Sequence, residues 1–374
     1  MKMVVNIMNM TAPTTKIRYL IPAILLIGIF FSVPAIKGLP RFSAKVEQKC
    51  NLCHMSPTGG GMRNGFGSQY FAMTEMAVHK TPLSELSGFQ PQVSETVSLG
   101  LDMRTQYIYD ELGEQSTFFQ MEGSFYAAAQ LDKRFSLTLD KGLYSGFEIF
   151  GTGYILPANG YFRVGKFQPA YGWRFADHTS FVREKMLWPP NSEDTGIEFG
   201  IYPNGISANV GFFNGSGGMF DDGKGKAVVS RFEFRHHIGP VGFAVGGSHY
   251  FNDTPGGERS MYGPLFYLNI ARIIYLGEFD WLDDKTSDPD GIMKFATSHK
   301  ANYLLTQGVW VELLYDFYDP DIDLTTGSIS RYGFGVGYFP YGFLEIEPNI
   351  RFYDDSLLGD EQYVLFNTQF HFFF

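Results

Sequence analysis

The sequence predicts an all-β fold: an antiparallel outer-membrane-type barrel of about 16 strands, preceded by a small and partly helical N-terminal segment. Three observations lead there. Aromatic residues make up 17% of the 374 residues, alongside 43 Gly and 19 Pro, a composition that excludes coiled coil and disorder. From about residue 93 onward, segments of roughly 8 to 14 residues alternate apolar with polar side chains between turn residues. The connections between these segments alternate short and long, as they do between the two rims of an outer-membrane barrel.

Residues 1–35 read as a secretory signal peptide. Lys16 and Arg18 precede the apolar stretch 20–33, and Val33-Pro34-Ala35 supplies small residues for cleavage. The other reading is an uncleaved anchor, but the run is shorter than the roughly 20 residues a span needs. Cleavage removes Lys2, Lys16 and Arg18 and no acid, taking the formal charge from −10 to −13. A mature chain this acidic has no affinity for nucleic acid.

Residues 36–92 form the second division. They contain both cysteines of the chain, in Cys50-Asn51-Leu52-Cys53-His54, the C-x-x-C-H pattern of c-type haem attachment. Two thiols at this spacing form thioethers with the vinyl groups of one haem, and His54 binds iron from the proximal side. A thioredoxin-like pair needs strand-helix alternation around it, and a zinc site needs a second pair, and neither is present. A helix-rich stretch at 64–78 offers Met73 and Met76, with Met62 before it and His79 just beyond, as distal ligands, a water or vacant position being the alternative, whereas Met55 is too close to reach round the ring. His79 would give a lower potential than a methionine. Gly59-Gly60-Gly61 is a tight turn beside the haem or a flexible link. So short a segment cannot bury a haem alone. It therefore needs the periplasmic mouth of the barrel as its other wall, which it plugs or docks against.

Residues 93–374 are the barrel. Strands are expected at 94–109, 116–131, 134–142, 145–155, 160–167, 195–202, 205–214, 227–237, 241–252, 260–271, 273–283, 292–305, 309–318, 329–339, 343–353 and 362–374. Tight turns follow at 157–159, 203–204, 238–240, 306–308 and 340–342, and long loops at 214–226, 252–259, 284–291 and 319–328. The connection near 141–144 is short on the long-loop side. In the last strand Phe366, Thr368, Phe370, Phe372 and Phe374 take one face and Asn367, Gln369 and His371 the other. In the strand before it, Leu344, Ile346, Ile350 and Phe352 oppose Glu345, Glu347, Asn349 and Arg351. The aromatic ending resembles the closing strand of bacterial outer-membrane barrels.

The N-terminal motifs carry a further resemblance. Leu39-Pro40-Arg41-Phe42-Ser43-Ala44, Cys50-Asn51-Leu52-Cys53-His54-Met55-Ser56-Pro57 and Arg63-Asn64-Gly65-Phe66-Gly67 resemble the start of the fused monohaem cytochrome-porins of the outer membrane, best known from iron-oxidising bacteria. The insert Pro57-Thr58-Gly59-Gly60-Gly61 departs from that pattern. The resemblance implies electron transfer across the outer membrane, one covalent haem c on Cys50 and Cys53, and His54 as proximal ligand. Phe162-Arg163-Val164-Gly165-Lys166-Phe167-Gln168-Pro169 is similar to a strand of phosphate-selective porins, which reads as shared barrel ancestry.

Two other features are open to function. The outer loops are acidic, at Asp110-Glu111, Asp221-Asp222, Asp283-Asp284, Asp319, Asp321 and Asp323, and at Asp354-Asp355 with Asp360-Glu361. They would focus cations such as Fe2+ near the haem, or serve as solvated loop tips. The longest loop, 168–194, carries Trp173, Arg174, Asp177, His178, Arg183, Glu184 and Trp188, and a loop this long is expected to fold inward as a constriction or a contact to haem. Arg174 and Arg183 would pair with haem propionates or with internal acids. His236, His237, His249 and His299 are too scattered for a metal site.

These readings point to an outer-membrane conduit, with its haem segment on the periplasmic side or in the lumen. It would pass electrons between an extracellular metal ion or mineral, Fe2+ favoured, and a periplasmic c-type cytochrome, with ferrous-iron oxidation as its enzymatic form. The alternatives are a solute-diffusion porin with a haem-bearing redox-responsive plug, and a barrel sheath for a larger multihaem complex.

Overall fold

A computed structural model describes residues 40–374 except 47, 144–145, 176, 188–191, 219, 222, 287 and 359–360. The signal peptide, Tyr144, Trp188, Asp222 and Asp360 lie outside the described residues. The chain forms a closed barrel of sixteen antiparallel strands in which every strand pairs with its sequence neighbours and β1 (Val97–Asp110) closes on β16 (Glu361–Phe373). The intervening strands are β2 Gln115–Gln130, β3 Phe135–Gly142, β4 Phe147–Leu156, β5 Gly160–Phe167, β6 Asp194–Ile201, β7 Ile206–Phe213 and β8 Ala227–Ile238. The second half comprises β9 Val241–Thr254, β10 Gly257–Ile270, β11 Ile273–Asp284, β12 Ile292–Thr306, β13 Val309–Asp319, β14 Ile329–Tyr341 and β15 Leu344–Asp355. Every strand expected from the alternation is present, with ends displaced by at most three residues.

One connection differs from expectation. The loop placed at 252–259 is a tight turn, because Thr254 pairs with Gly257 and the β9–β10 ladder runs unbroken to it. The acidic and polar residues that suggested a loop are ladder residues at the rim.

The alternation fixes which side chains face inward. In β16, Asn367, Gln369 and His371 are buried while Phe366, Phe370 and Phe372 are exposed. In β15, Glu345 and Arg351 are buried and Phe352 is exposed. Exposed Leu101, Ile149, Leu268, Leu313 and Phe334 extend the apolar outer face around the wall, an arrangement suited to hydrocarbon outside and water or protein within. Among the described residues no helix is long and apolar enough to cross a membrane.

Two segments outside the strands enter the lumen. Helix α1 (Pro40–Val46) packs against β9, β10 and β11, with Phe42 edge-on to Trp310 at 5.4 Å and to Phe71 and Phe339 at 6.0 Å. The expected helical stretch is present as a π-helix, Phe66–Met76. Its last carbonyls, Thr74 and Ala77, accept hydrogen bonds from Gln307 at 2.9 and 3.0 Å, and the Val78 N–H donates to Phe339 at 2.9 Å. Both partners belong to the short-turn rim, so the segment docks at the mouth where β1 begins. The described residues of loop 168–193 enter from the other side, and its one-turn helix α2 (Phe181–Glu184) packs on β11, β12 and β13.

Candidate functional site

The Cys50–Leu52 turn is a 3-10 turn in which the Cys53 N–H donates to the Cys50 carbonyl at 3.1 Å, and the His54 N–H donates to the same carbonyl at 3.0 Å. This winding brings both sulfurs and the imidazole to one side of the segment. Cys53 is buried, Cys50 half-buried, and the two are not bonded to each other. Behind them the chain turns back as a hairpin: His54 bridges Arg63, and the Met55 N–H donates to the Met62 carbonyl at 3.0 Å. The hairpin tip is Gly59-Gly60-Gly61, with φ of +86°, +75° and +56°, left-handed values that any side chain would strain. A Cβ on Gly59 would sit 3.1 Å from the Cys50 sulfur. The three glycines are therefore an ordered turn beside the cysteine pair.

The π-helix locks the motif from below. The Asn64 amide donates to the Asn51 and Leu52 carbonyls, each at 3.1 Å, and its oxygen accepts from the Gly67 N–H at 2.9 Å. Gly67 lies so close to the motif that a Cβ there would fall 2.1 Å from the Cys53 carbonyl oxygen. From the barrel wall, Arg163 donates to Ser56 at 2.9 Å and to Thr58 at 3.2 Å while pairing with Glu198 at 2.9 Å. The strand residue singled out by its porin resemblance thus positions the chain just after His54.

Cys50, Cys53 and His54 open on a cavity that is partly continuous with solvent. Trp173, Phe175 and Tyr126 line it with Arg63, Arg174 and His178, and Glu122, Asp140, Glu148 and Glu193 form an acidic stretch of its wall. The His54 Nδ1 is buried without a hydrogen-bond partner. Burial, then the charge of Arg63, pushes the His54 pKa down to about 3, so the ring is neutral.

The long loop supplies the opposite part of the site. Arg174 donates to the Gly59 carbonyl at 2.7 Å and to that of Gln168 at 3.1 Å. Arg183 pairs with Glu278, and with Asp280 at 3.4 Å, so its charge is met by internal acids. Asp177 faces Arg351 at 3.1 Å, Lys300 at 3.5 Å and Arg331 at 3.9 Å. Burial alone would raise its pKa, but these three cations hold it well below the usual carboxylate range. Beside it, His178 lies 3.7 Å from Glu122, and burial, then Arg104, lowers its pKa. Phe175, Asp177 and His178 also border a second, smaller cavity.

The distal candidates do not join this site. Met73 and Met76 are buried, Met76 within the apolar cluster around Phe42, Phe71 and Trp310. His79 is exposed at the short-turn rim, stacked on Tyr341 at 5.2 Å, and none of the three lines the cavity. Among the described residues no cluster of three or more His, Cys, Asp or Glu is placed to hold a metal ion. The His236 and His237 rings stack 5.6 Å apart, and both residues are exposed. Several loop acids are engaged locally: Asp221 pairs with Lys226, and Asp319 and Asp321 accept backbone N–H bonds at 3.1 Å within their own loop.

No family model matches the chain, and no curated protein matches it in sequence. Its fold is shared with solved outer-membrane barrels. OmpT of Vibrio cholerae in its trimer form is 12% identical, with a TM-score of 0.56 over 75% of this chain and 99% of that one. An anion-selective porin from Comamonas acidovorans is 13% identical, with a TM-score of 0.55 and 75% and 99% covered. OprB of Pseudomonas putida is 9% identical, with a TM-score of 0.54 and 75% and 94% covered.

Proposed function

We propose that this chain is an outer-membrane electron-transfer protein, a monohaem cytochrome fused to a porin-like barrel. The observation that carries the reading is the position of Cys50, Cys53 and His54 on the wall of a large cavity inside a closed barrel. Bound there, haem c supplies one-electron chemistry at its iron. Cys50 and Cys53 would hold it through thioethers. His54, whose ring is neutral, suits the proximal position, where a protonated imidazole could not serve. Arg63, whose guanidinium rests 3.8 Å from the centre of the Phe373 ring, is a cation on the same cavity and suits a propionate, whereas Arg174 lies 3.7 Å from Glu148.

The apolar outer face would sit in outer-membrane lipid, with the short-turn rim in the periplasm. One haem cannot cover a ~25 Å apolar band alone, so the extracellular donor or a partner must enter the lumen. The extracellular donor would be a metal ion such as Fe2+, and a periplasmic c-type cytochrome would accept the electron at the short-turn rim. The test uses vesicles enclosing an oxidised soluble c-type cytochrome, with the full chain in the membrane and Fe2+ added outside. Internal reduction that disappears in Cys50→Ser/Cys53→Ser supports the conduit; equal rates in both chains overturn it.

A second reading draws on the porins among the similar solved structures: a solute-diffusion porin whose haem-bearing segment is a redox-responsive plug. Solute flux that changes with redox state while no electron crosses would favour it.

A further inference from the structure

We propose that His178 is the second axial ligand of the haem, making the iron bis-histidine. The inference rests on the haem reading above and adds the residue that completes the coordination. Haem iron in proteins takes its axial ligands from His, Met, Cys or Tyr. Both cysteines are committed to attachment, and among the described residues lining the cavity no methionine occurs and His178 is the one imidazole besides His54. Tyr126 packs with Met62 and Ala128 in an apolar cluster. The Lys49 amine, another nitrogen on the cavity, donates to the Tyr202 carbonyl at 3.0 Å and sits 4.0 Å from the centre of its ring.

His178 is also held where it is. Asp177 on one side meets three cations from β12, β14 and β15. Thr179 on the other accepts hydrogen bonds from Arg331, at 3.0 Å, and from Arg351. The residue between them is fixed by ties to the barrel wall on both sides, in a loop that Arg174 joins to the haem-motif hairpin. Glu122 lies 3.7 Å from the His178 Nε2, beyond hydrogen-bond distance, so that nitrogen is not committed to the carboxylate.

The test uses the full chain extracted from membranes, with haem content read by the pyridine haemochrome and ligation by electron paramagnetic resonance and near-infrared magnetic circular dichroism of the ferric state. The wild type is expected to be low-spin with a bis-imidazole signature. His178→Ala should keep its covalent haem, become high-spin and return to low-spin when imidazole is added. His178→Met should gain the weak red charge-transfer band of thioether ligation and a higher potential. Met73→Leu, Met76→Leu and His79→Ala should leave the signature unchanged. A bis-imidazole signature that survives in His178→Ala, or a thioether signature in the wild type, overturns the assignment while leaving the haem reading in place. A wild type without covalent haem overturns that reading and the ligand with it.

Discussion

Arg174 donates a hydrogen bond to the Gly59 carbonyl at 2.7 Å across a sequence separation of 115 residues. Through this contact the inward loop and the haem-motif hairpin become one unit, although the first follows β5 and the second precedes β1. Arg174→Ala should leave the barrel intact and covalent haem in place. It should broaden the haem's electron paramagnetic resonance line and increase protease cleavage within 168–193, read on the same preparation.

Gly67 is the tightest point beneath the motif, with the Cys53 carbonyl where a Cβ would be. Gly67→Ala must push the π-helix from Cys53, an overpacking cost of about 1–3 kcal/mol. Gly65→Ala, which meets nothing within 4 Å, should be close to neutral. The yield of haem-bearing protein at equal barrel expression distinguishes them: it falls for Gly67→Ala alone.

The anchor of the inward loop should resist acid. The Asp177 carboxyl is held below its ordinary value of 3.8. A depressed folded pKa gives stability that is present above the unfolded value and lost only as pH falls through the folded one. Protease protection of 168–193 should therefore be unchanged between about pH 7 and pH 4. Asp177→Asn removes the countercharge of Arg351, Lys300 and Arg331, at about 3–5 kcal/mol for breaking a buried pair. It should raise single-channel conductance in planar bilayers as the loop leaves the lumen.

Arg163 is fully buried against Glu198. Arg163→Ala leaves that carboxylate uncompensated and takes the donors from Ser56 and Thr58, costing about 3–5 kcal/mol. Urea-induced unfolding in lipid vesicles reads this loss directly. Arg163→Lys, which keeps the charge but not the fork of donors, should fall between it and the wild type.

The barrel was legible because its signal is local. A period of two places Phe366, Phe370 and Phe372 outside and Asn367, Gln369 and His371 inside, and strand ladders reproduce that alternation residue by residue. The β9–β10 turn misled because Pro255-Gly256 sits among residues with loop chemistry, and only pairing with β9 shows that Gly257 continues the ladder. The helical stretch was visible, but that none of its residues would line the cavity was not. Met73 and Met76 are three apart and both buried, and Met76 packs with Phe42, Trp310 and Phe339 of other elements. The inward loop stood out by its length, whereas the role of His178 depends on Asp177 and Thr179 meeting arginines more than 150 residues away. That relation leaves no local trace in the sequence.

The central claim is that Cys50 and Cys53 attach a haem inside this barrel. The most direct measurement is haem staining of the full chain, after acid-acetone extraction and on a denaturing gel, produced in cells with the c-type maturation machinery. The account predicts haem peroxidase activity that migrates with the barrel polypeptide, a single equivalent per chain, and its complete loss in Cys50→Ser/Cys53→Ser while the barrel still inserts. A wild-type polypeptide that carries no haem through extraction, from cells that mature other c-type cytochromes, would contradict it.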